Sequence, residues 1–565
     1  MSEEKPVSGR DHPWVSAYPP SVRWDAELEI SSLPAMLDAS VRAYGNRTCT
    51  DFLGATLTYA EIGGMVDRLA AGLAAAGFGK GDRIGLFLPN SPTYIVAYFA
   101  ALKAGATVVN FNPLYTEEEI THQAKDAGVR AMVTLDLAQL YGKVAALARN
   151  GVIERVICCP FTDNLPTLKR WLFRIFKSKE IADTRGPQGK VLHWRDLTAP
   201  GRSLPAVAID PEKDVALLQY TGGTTGTPKG AMLTHANLTA NVSQNLAWAP
   251  VLERGGERIM GILPFFHVFA MTAIMNMGLK LGATLILLPR FDLKQAVAEI
   301  KRTRPTILPG VPTLYTALLN FPGIRKEDLA SLKFSVSGGA PLPLEVRRRF
   351  EAFTGGVLVE GYGLSETSPV ATCNPLHDTT HENSIGQPLP RTIVQIRSTE
   401  DPKVEMPLGE AGEVCIKGPQ VMPGYWNKPE ENAASFVDGF FRTGDVGYMD
   451  REGFIYLIDR IKDIINCSGF KVYPRRIEEA LYAHPAVAET TVVGIPDAYR
   501  GEAPKAFVKL KPGMAATAEE LLEHLKKKIS KIGMPSEIEF RDELPHTMVG
   551  KLSKKELRKE EAAKA

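Results

Sequence analysis

Helical stretches alternate with short apolar runs along most of this sequence, and that alternation limits the fold more than any other feature. Residues 57–90, LTYAEIGGMVDRLAAGLAAAGFGKGDRIGLFLPN, have helical spacing over 61–77 and a buried strand over 84–88. The same alternation continues through 131–135, 155–159, 283–289, 305–315 and 333–342. It is typical of α/β proteins, in which helices cover the faces of a sheet.

The pattern changes near residue 385. Three strands separated by glycine turns, TIVQIRS, GEVCIKG and GFIYLID, predict a small β-barrel or sheet. After Asp459 a helix, two strands and a second helix form a tail of about 100 residues, a common size for a domain. We place the boundary at Arg460–Lys462, so the sequence predicts a large α/β unit followed by a small α+β unit.

Composition excludes several classes of protein. The 565 residues carry a net charge of only +2, which gives no electrostatic footprint for binding nucleic acid. None of the six cysteines forms a CxxC pair, so neither a disulfide framework nor a zinc site is indicated, and a reducing cytosol fits best. The polar, proline-rich beginning lacks the layout of a signal peptide. The apolar segment 261–279 contains Pro264, His267 and Asn276, which favours a buried helix over a membrane span.

Residues 220–233, YTGGTTGTPKGAML, carry four glycines, four threonines and one lysine. Exposed backbone N–H groups, hydroxyls and a mobile cation together favour a phosphate ligand. The stretch differs from the familiar phosphate loop because Pro228 separates Thr227 from Lys229. Apolar flanks on both sides predict that it joins two strands. A glycine-rich hairpin without a ligand is the alternative.

Four further stretches accompany this loop in a fixed order. They are the strand-end turn SGGAPLP (337–343), the glycine turn VLVEGYGLSETSPV (357–370), the segment 438–463 with Asp445 in a tight turn, and the loop and basic helix LPHTMVGKLSKKELRKE (544–560). Together the five motifs resemble the adenylate-forming superfamily: acyl-CoA synthetases, firefly luciferase and the adenylation domains of peptide synthetases. VVNFNPLYTEEEI (108–120) and the 438–463 segment look most like bacterial long-chain fatty-acid–CoA ligases.

The resemblance implies a fold, a reaction and its cofactors. An N-terminal AMP-binding domain, 1–461, would contain two α/β sheet subdomains and a small β-barrel. A mobile α+β lid would follow at 462–565. The reaction would activate a fatty acid with ATP and Mg²⁺ as an acyl-adenylate and transfer it to CoA, releasing AMP and pyrophosphate. The same chemistry on a medium-chain, dicarboxylic or aromatic acid is an alternative. A catalytically silent nucleotide-binding protein is another.

The resemblance also assigns residues. Those expected at the ATP phosphates are Thr221, Gly222, Gly223, Thr224, Thr225, Gly226 and Lys229, with Mg²⁺ on Thr221 and Glu366. Those expected around the nucleoside are Gly339, Ala340, Gly361, Tyr362 and Ser365, with Asp445 and Arg460 at the ribose. The residues expected to be catalytic are Lys551, Glu366 and His267.

Each polar residue has an ordinary alternative role. Glu366 could be a helix-capping acid, Asp445 an Asx-turn residue and Lys551 a surface lysine. His267 could be a hydrogen-bonded core histidine.

Two conformations are expected, because Lys551 and CoA would need the same space beside the reacting carbonyl. The resemblance places the hinge at Lys462. Rotation about it would bring the face around Gly469 to the site, where a glycine lets the pantetheine arm of CoA pass close to the backbone.

Residues 168–179, LKRWLFRIFKSK, combine an apolar stripe at helical spacing with five basic residues. Such a helix is typical of membrane-surface binding, and packing on its own domain is the alternative. The expected location is the cytoplasm, with a peripheral place on the inner membrane surface as an extension of it. A homodimer is left open.

Overall fold

The computed structural model describes residues 12–184, 190–221, 228–376, 381–497, 499–546 and 552–564. In chain order, its first strands are β1 (Thr48–Phe52), β2 (Ala55–Thr58), β3 (Arg83–Phe87), β4 (Thr107–Asn110), β5 (Ala131–Leu135), β6 (Arg155–Cys159), β7 (Val191–His193), β8 (Val215–Thr221) and β9 (Lys229–Thr234). The next are β10 (Arg258–Gly261), β11 (Thr284–Leu287), β12 (Ile307–Gly310), β13 (Phe334–Gly338), β14 (Val357–Gly363), β15 (Val370–Cys373) and β16 (Gln387–Pro388). The last are β17 (Ile393–Arg397), β18 (Gly412–Lys417), β19 (Gly424–Tyr425), β20 (Phe436–Val437), β21 (Phe440–Met449), β22 (Ile455–Arg460), β23 (Ile465–Cys467), β24 (Phe470–Val472), β25 (Val487–Asp497), β26 (Gly501–Leu510) and β27 (Glu537–Phe540).

Helices fill most of the connections. In the first half these are α1 (Leu33–Tyr44), α2 (Tyr59–Ala75), α3 (Pro92–Lys103), α4 (Glu117–Ala127), α5 (Ala138–Arg149), α6 (Thr167–Phe176), α7 (Trp194–Leu197), α8 (His235–Trp248), α9 (Val268–Ala270) and α10 (Met277–Leu281). In the second half they are α11 (Leu293–Thr303), α12 (Pro312–Leu319), α13 (Lys326–Leu329), α14 (Leu344–Thr354), α15 (Pro429–Ser435), α16 (Pro474–Tyr482), α17 (Ala518–Lys526) and α18 (Lys554–Lys564).

Two large sheets with parallel centres form most of the molecule. The first has nine strands in the order β16-β15-β14-β13-β12-β10-β11-β1-β2, and the second has eight in the order β19-β9-β8-β4-β3-β5-β6-β7. Strands β10 to β14 of the first sheet are parallel where they pair, as are β3 to β7 and β8 of the second. The predicted two α/β sheet subdomains are confirmed.

The third sheet, β17-β18-β21-β20 with β22 on β21, is the β-structure predicted after residue 385. It differs from the predicted small β-barrel, because among the described residues no strand pairing joins its end strands into a ring. The long strand β21 instead bends at irregular registers and pairs with β18, β20 and β22 in turn. The sheet is therefore branched.

The strands from residue 465 onwards form a fourth sheet of their own, β24-β23-β26-β25 with β27 on β26. Its core consists of residues from Ile465 onwards, among them Leu481, Val492, Val508 and Leu521. The predicted small α+β unit is therefore present. It begins just after the short 3₁₀ turn Ile461–Asp463.

Local sequence explains where elements begin. Helix α2 starts two residues before the predicted position 61, because the Thr58 side chain caps it and Glu61 bonds back to the Thr58 N–H. Helix α3 begins with Pro92 after the capping Ser91, and all of its residues except Lys103 are buried. It lies in the largest apolar core of the protein, which also contains the inner faces of both large sheets.

The apolar segment 261–279 is buried, as predicted. It leaves β10 and continues through α9, a π-helical turn over Met271–Asn276, and α10. No helix among the described residues has both the length and the apolar character needed to cross a bilayer.

Candidate active site

The predicted site residues lie at the carboxyl ends of parallel strands in both large sheets. Thr221 ends β8, which runs parallel to β4. Gly339 follows β13, and Gly361 lies opposite Gly338 where β14 pairs with it. Ligands of open α/β sheets bind in crevices at this end of the strands. The fold thus places Thr221 of the second sheet, and Gly339 and Gly361 of the first, at the sheet edges where nucleotides bind in such folds.

A series of contacts connects Thr221 to Glu366. Strands β8 and β9 form the predicted hairpin, in which Thr221 lies opposite Lys229. The Lys229 ammonium lies 5.3 Å from the centre of the Tyr425 ring. The Tyr425 hydroxyl donates a 2.7 Å hydrogen bond to Glu366 Oε1. Because Tyr425 is in β19 of the second sheet and Glu366 follows β14 of the first, this bond joins the two sheets at the site.

Glu366 is a buried carboxylate without a described cation partner. It is 8% exposed, and no described lysine or arginine forms an ion pair with it. Burial raises the pKa of Glu366, although the hydrogen bond from Tyr425 opposes that shift. Carboxylate and hydroxyl oxygens are ligands that Mg²⁺ prefers, and phosphate oxygens complete such sites. The donor set of Glu366 and Thr221 therefore fits the predicted magnesium ion.

Asp445 joins the third sheet to the site. The Tyr362 hydroxyl donates a 2.5 Å hydrogen bond to Asp445 Oδ2, and the Arg460 guanidinium pairs with Oδ1 at 3.1 Å. Asp445 and Arg460 are neighbours across β21 and β22. Burial and the neighbouring carboxylate raise the pKa of Tyr362, so its hydroxyl stays protonated and donates. A buried carboxylate keeps further acceptor positions for sugar hydroxyls. The structure thus brings together Tyr362, Asp445 and Arg460.

The segment that follows the turn Gly339–Ala340 is bonded to a buried glutamate that the sequence did not single out as functional. The backbone N–H of Leu342 donates a 3.3 Å hydrogen bond to Glu360 Oε2. Burial raises the pKa of Glu360 to about 7. Gly363 is required on the same strand, since a Cβ there would lie 1.9 Å from the Pro369 carbonyl oxygen. Ser365 is half-buried beside Glu366.

Glu360→Gln should stabilise the protein above pH 7 and have little effect near pH 4.5. The folded protein holds a proton on Glu360 up to a pKa of about 7, whereas the unfolded chain releases it near 4.5. Wild-type stability therefore falls as pH rises through this window, and glutamine removes the loss, by about 3 kcal/mol at most. Urea unfolding of both proteins at the two ends of the window measures it. If the two proteins differed equally in their free energy of unfolding at pH 4.5 and above pH 7, Glu360 would not titrate in this window.

His267 lies at the start of the buried helical segment. Its Nδ1 accepts a 3.3 Å hydrogen bond from the Phe269 N–H, and it caps α9. The neighbouring Phe266 carbonyl accepts a 3.1 Å hydrogen bond from Gln219, two residues before Thr221. The segment therefore contacts β8, the strand that ends with Thr221. His267 itself is half-buried, and its ring accepts a hydrogen bond that caps α9.

The residues predicted for the second conformation lie beyond the 3₁₀ turn that contains Lys462. Ser468 and Gly469 both have positive φ and form the two-residue turn between β23 and β24. A Cβ added to Gly469 would meet nothing within 4 Å, so this hairpin tip projects into solvent. The Arg475 N–H, which follows this turn, donates a 2.8 Å hydrogen bond to the carboxylate of Asp459, which precedes it.

Several predicted residues lie outside the described part of the chain: Gly222, Gly223, Thr224, Thr225, Gly226 and Lys551. Their roles stay predictions. Conversely, Tyr425 was not predicted, although it holds Glu366. Its only sequence signal is the preceding Pro423-Gly424 turn, which does not indicate a partner 59 residues away.

Comparison with known proteins agrees with this geometry. Residues 37–426 match the AMP-binding enzyme family, and residues 476–551 match the AMP-binding enzyme C-terminal domain. A long-chain-fatty-acid–CoA ligase of Bacillus subtilis (strain 168) is 43% identical over 551 residues, covering 97% of this chain and 98% of that protein. A feruloyl-CoA synthase of an Amycolatopsis species is 36% identical, covering 90% and 94%.

Among solved structures, ATP-bound MatB from Rhodopseudomonas palustris superimposes with a TM-score of 0.82. Its sequence is 30% identical, and the match covers 94% of this chain and 99% of that one. The predicted resemblance is confirmed over nearly the whole length: the chain belongs to the AMP-binding enzyme family, the adenylate-forming enzymes.

Proposed function

We propose that the protein is an AMP-forming long-chain fatty-acid–CoA ligase. The observation that carries the proposal is that three sheets contribute to the site: Glu366 is connected to Thr221 through Tyr425 and Lys229, and Asp445 accepts a hydrogen bond from Tyr362. The full-length identity of 43% to the Bacillus subtilis ligase supports the fatty-acid class. ATP and CoA are the co-substrates.

In the first step a fatty-acid carboxylate oxygen attacks the α-phosphorus of ATP, and pyrophosphate leaves. Both reactants are anions, so the site has to offset their repulsion and hold them in line. Lys229 and the glycine–threonine loop are proposed to bind the β- and γ-phosphates. Asp445 is proposed to accept the ribose hydroxyls, and Lys551 to neutralise charge between the carboxylate and the α-phosphate.

Mg²⁺ is proposed to be held by Glu366 and Thr221. When bound, it would neutralise charge on the phosphates. The chain's own contribution is to keep the Glu366 carboxylate buried and oriented through the Tyr425 hydroxyl.

In the second step the CoA thiolate attacks the carbonyl carbon of the acyl-adenylate, a thioester forms and AMP leaves. We propose that the domain boundary lies at 461/462 and that rotation about Lys462 brings the exposed Gly469 turn to the site. The rotation would break the hydrogen bond between Asp459 and the start of α16. Such hinge motions use a few residues at the ends of elements.

Lys462→Pro should spare adenylate formation and lower thioester formation by about tenfold or more, because proline fixes φ near −65° and restricts the hinge. Proline suits the second position of the turn Ile461–Asp463, so the first conformation should form. The two half-reactions are measured separately, by pyrophosphate exchange and by CoA attack on supplied acyl-adenylate. Lys462→Ala is the matched control. Unchanged thioester formation in the proline variant would place the rotation elsewhere.

A panel of acids tests the substrate class through acid-dependent ATP–pyrophosphate exchange. Long-chain fatty acids are expected to give the highest kcat/KM. The similarity to a feruloyl-CoA synthase favours an aromatic acid as the second candidate, so ferulate belongs in the panel. Exchange that does not depend on any acid would contradict the ligase proposal.

We propose that the protein is located in the cytoplasm, at the inner surface of the membrane. A long-chain acid partitions into bilayers, since each buried methylene group contributes about 0.8 kcal/mol. An enzyme that contacts the bilayer would therefore meet its substrate where it is concentrated.

A further inference from the structure

Helix α6 presents its apolar stripe to solvent. The stripe consists of five large side chains with exposed fractions of 72% for Leu168, 67% for Trp171, 43% for Leu172, 50% for Ile175 and 79% for Phe176. Helices of globular proteins normally turn such a stripe toward the core. Contiguous exposed apolar surface of this kind marks an interaction site.

The opposite face of α6 holds it to the protein. Phe173 packs against the main core and lies 5.1 Å from the ring centre of Phe161. Arg170 donates hydrogen bonds to the Thr162 and Asp163 carbonyl oxygens at 2.9 and 3.1 Å. Lys169 donates a 2.7 Å bond to the Leu53 carbonyl oxygen, in the turn between β1 and β2 of the other large sheet. Polar and charged groups make most of the attachment, so among the described residues the apolar stripe faces outward and does not pack into the core of its own domain.

Most of the charges beside the stripe are positive. The segment 164–179 contains five basic residues and no acidic residue. The side chains of Arg174, Lys177 and, from the neighbouring helix α7, Arg195 are at least half exposed. Asp163 and Glu180 offset part of this charge. An apolar stripe flanked by cations complements a bilayer that contains anionic lipid.

The position of α6 relates the stripe to the candidate active site. The helix follows β6 at the carboxyl edge of the second sheet, the same edge at which β8 ends with Thr221. Four strand spacings separate β6 from β8 in that sheet, which corresponds to about 19 Å.

Hydrogen bonds also connect the base of the helix with the segment before His267. Asn164 accepts a 2.8 Å hydrogen bond from the Thr93 hydroxyl. Three residues before Thr93, Asn90 accepts a 2.7 Å hydrogen bond from the Phe265 N–H. The base of α6 is therefore connected to the edge that carries the site.

We propose that α6 is an interfacial docking helix that lies in the headgroup region of an anionic bilayer and turns the carboxyl edge of the second sheet toward it. The proposal rests on the proposed function only for the identity of the substrate, a fatty acid taken from that bilayer. Docking itself depends on the stripe and its flanking charges alone.

The test compares the wild-type protein with a Trp171→Ser, Ile175→Ser, Phe176→Ser triple variant. Both are sedimented with vesicles of phosphatidylglycerol and phosphatidylethanolamine, and with vesicles of phosphatidylcholine alone, at low and high salt. We expect the triple variant to lose at least about tenfold in partitioning onto the anionic vesicles. Its remaining binding should be weak and should disappear at high salt. Wild-type partitioning in the variant would overturn the proposal.

A matched control removes three exposed apolar side chains elsewhere. Val404, Leu408 and Met514 are each about half exposed, and their triple serine variant should bind anionic vesicles within about twofold of wild type. An equal loss in this control would show that the effect is not specific to α6.

Exchange activity with an acid dissolved in detergent separates this proposal from the ligase proposal. The α6 variant should keep it, because no stripe residue belongs to the site. Lost vesicle binding with intact exchange supports docking. If neither protein shows exchange while the wild type still binds vesicles, the ligase proposal is contradicted and docking is still supported.

A single substitution covers the case in which the triple variant fails to fold. Brominated lipid should quench the fluorescence of wild-type protein more than that of Trp171→Phe, because Trp171 would lie in the bilayer interface. Equal quenching of the two proteins would contradict docking through α6. A wild-type dimer that the triple variant splits, with vesicle binding unchanged, would instead assign the stripe to a second copy of the chain.

Discussion

Glu366→Gln is expected to lower the rate of acid-dependent ATP–pyrophosphate exchange by about a hundredfold or more. Glutamine keeps the size of the side chain and can still accept the hydrogen bond from Tyr425, so the fold should survive. It removes the buried negative charge that we propose as a magnesium ligand. The concentration of Mg²⁺ needed for half-maximal exchange should therefore rise as well. Initial rates over a range of Mg²⁺ concentrations measure both effects.

Glu299→Gln provides a matched control, since Glu299 is as buried as Glu366 but lies on α11 and pairs with Arg302. It should leave exchange within about twofold of wild type while changing stability. If Glu366→Gln kept the wild-type rate and the wild-type dependence on Mg²⁺, Glu366 would be a structural acid of the glycine turn.

Lys551→Ala is expected to lower adenylate formation by about a thousandfold and to leave CoA attack on supplied acyl-adenylate within a few-fold of wild type. The reason is the proposed division between two conformations, in which Lys551 neutralises charge only in the first. Exchange measures the first half-reaction, and thioester formation from purified acyl-adenylate measures the second.

Lys555→Ala is the control for the basic tail, because Lys555 lies on α18 and is exposed. It should leave both half-reactions unchanged. Equal loss of both half-reactions in Lys551→Ala would contradict the two-conformation account, since a lysine that serves one conformation cannot be required in both.

Periodicity and turn chemistry predicted much of the fold. The predicted strands at 131–135 and 155–159 are β5 and β6 to the residue, because each is a short run between helices that is buried except at Arg155. The hairpin around the glycine–threonine loop was also predicted correctly, since both flanks are apolar. Such features depend on residues that are neighbours in the sequence, so local sequence patterns predict them.

Contacts between distant elements could not be predicted in this way. The bond from Tyr425 to Glu366 depends on β19 joining the edge of the second sheet, next to β9. The pairing of Asp445 with both Tyr362 and Arg460 depends on the register of β21 and β22. The resemblance supplied the names of these residues, but the partners follow only from sheet order.

Helix α6 shows a different limit. Its periodicity revealed an apolar stripe but not the direction in which the stripe faces. That direction is set by Arg170 and Phe173, whose contacts lie on the opposite side of the helix. A pattern of charges and apolar residues is compatible with both orientations, and only the attachment decides between them.

Oxygen transfer tests the central claim, which is that this site activates a fatty acid by attack of its carboxylate on the α-phosphorus of ATP. The wild-type enzyme is given palmitate labelled with ¹⁸O in both carboxylate oxygens, together with ATP, Mg²⁺ and CoA, and the products are analysed by mass spectrometry. The account predicts that one ¹⁸O atom appears in AMP, the other stays in the acyl-CoA, and pyrophosphate is unlabelled. Label in pyrophosphate or inorganic phosphate, with none in AMP, would contradict it.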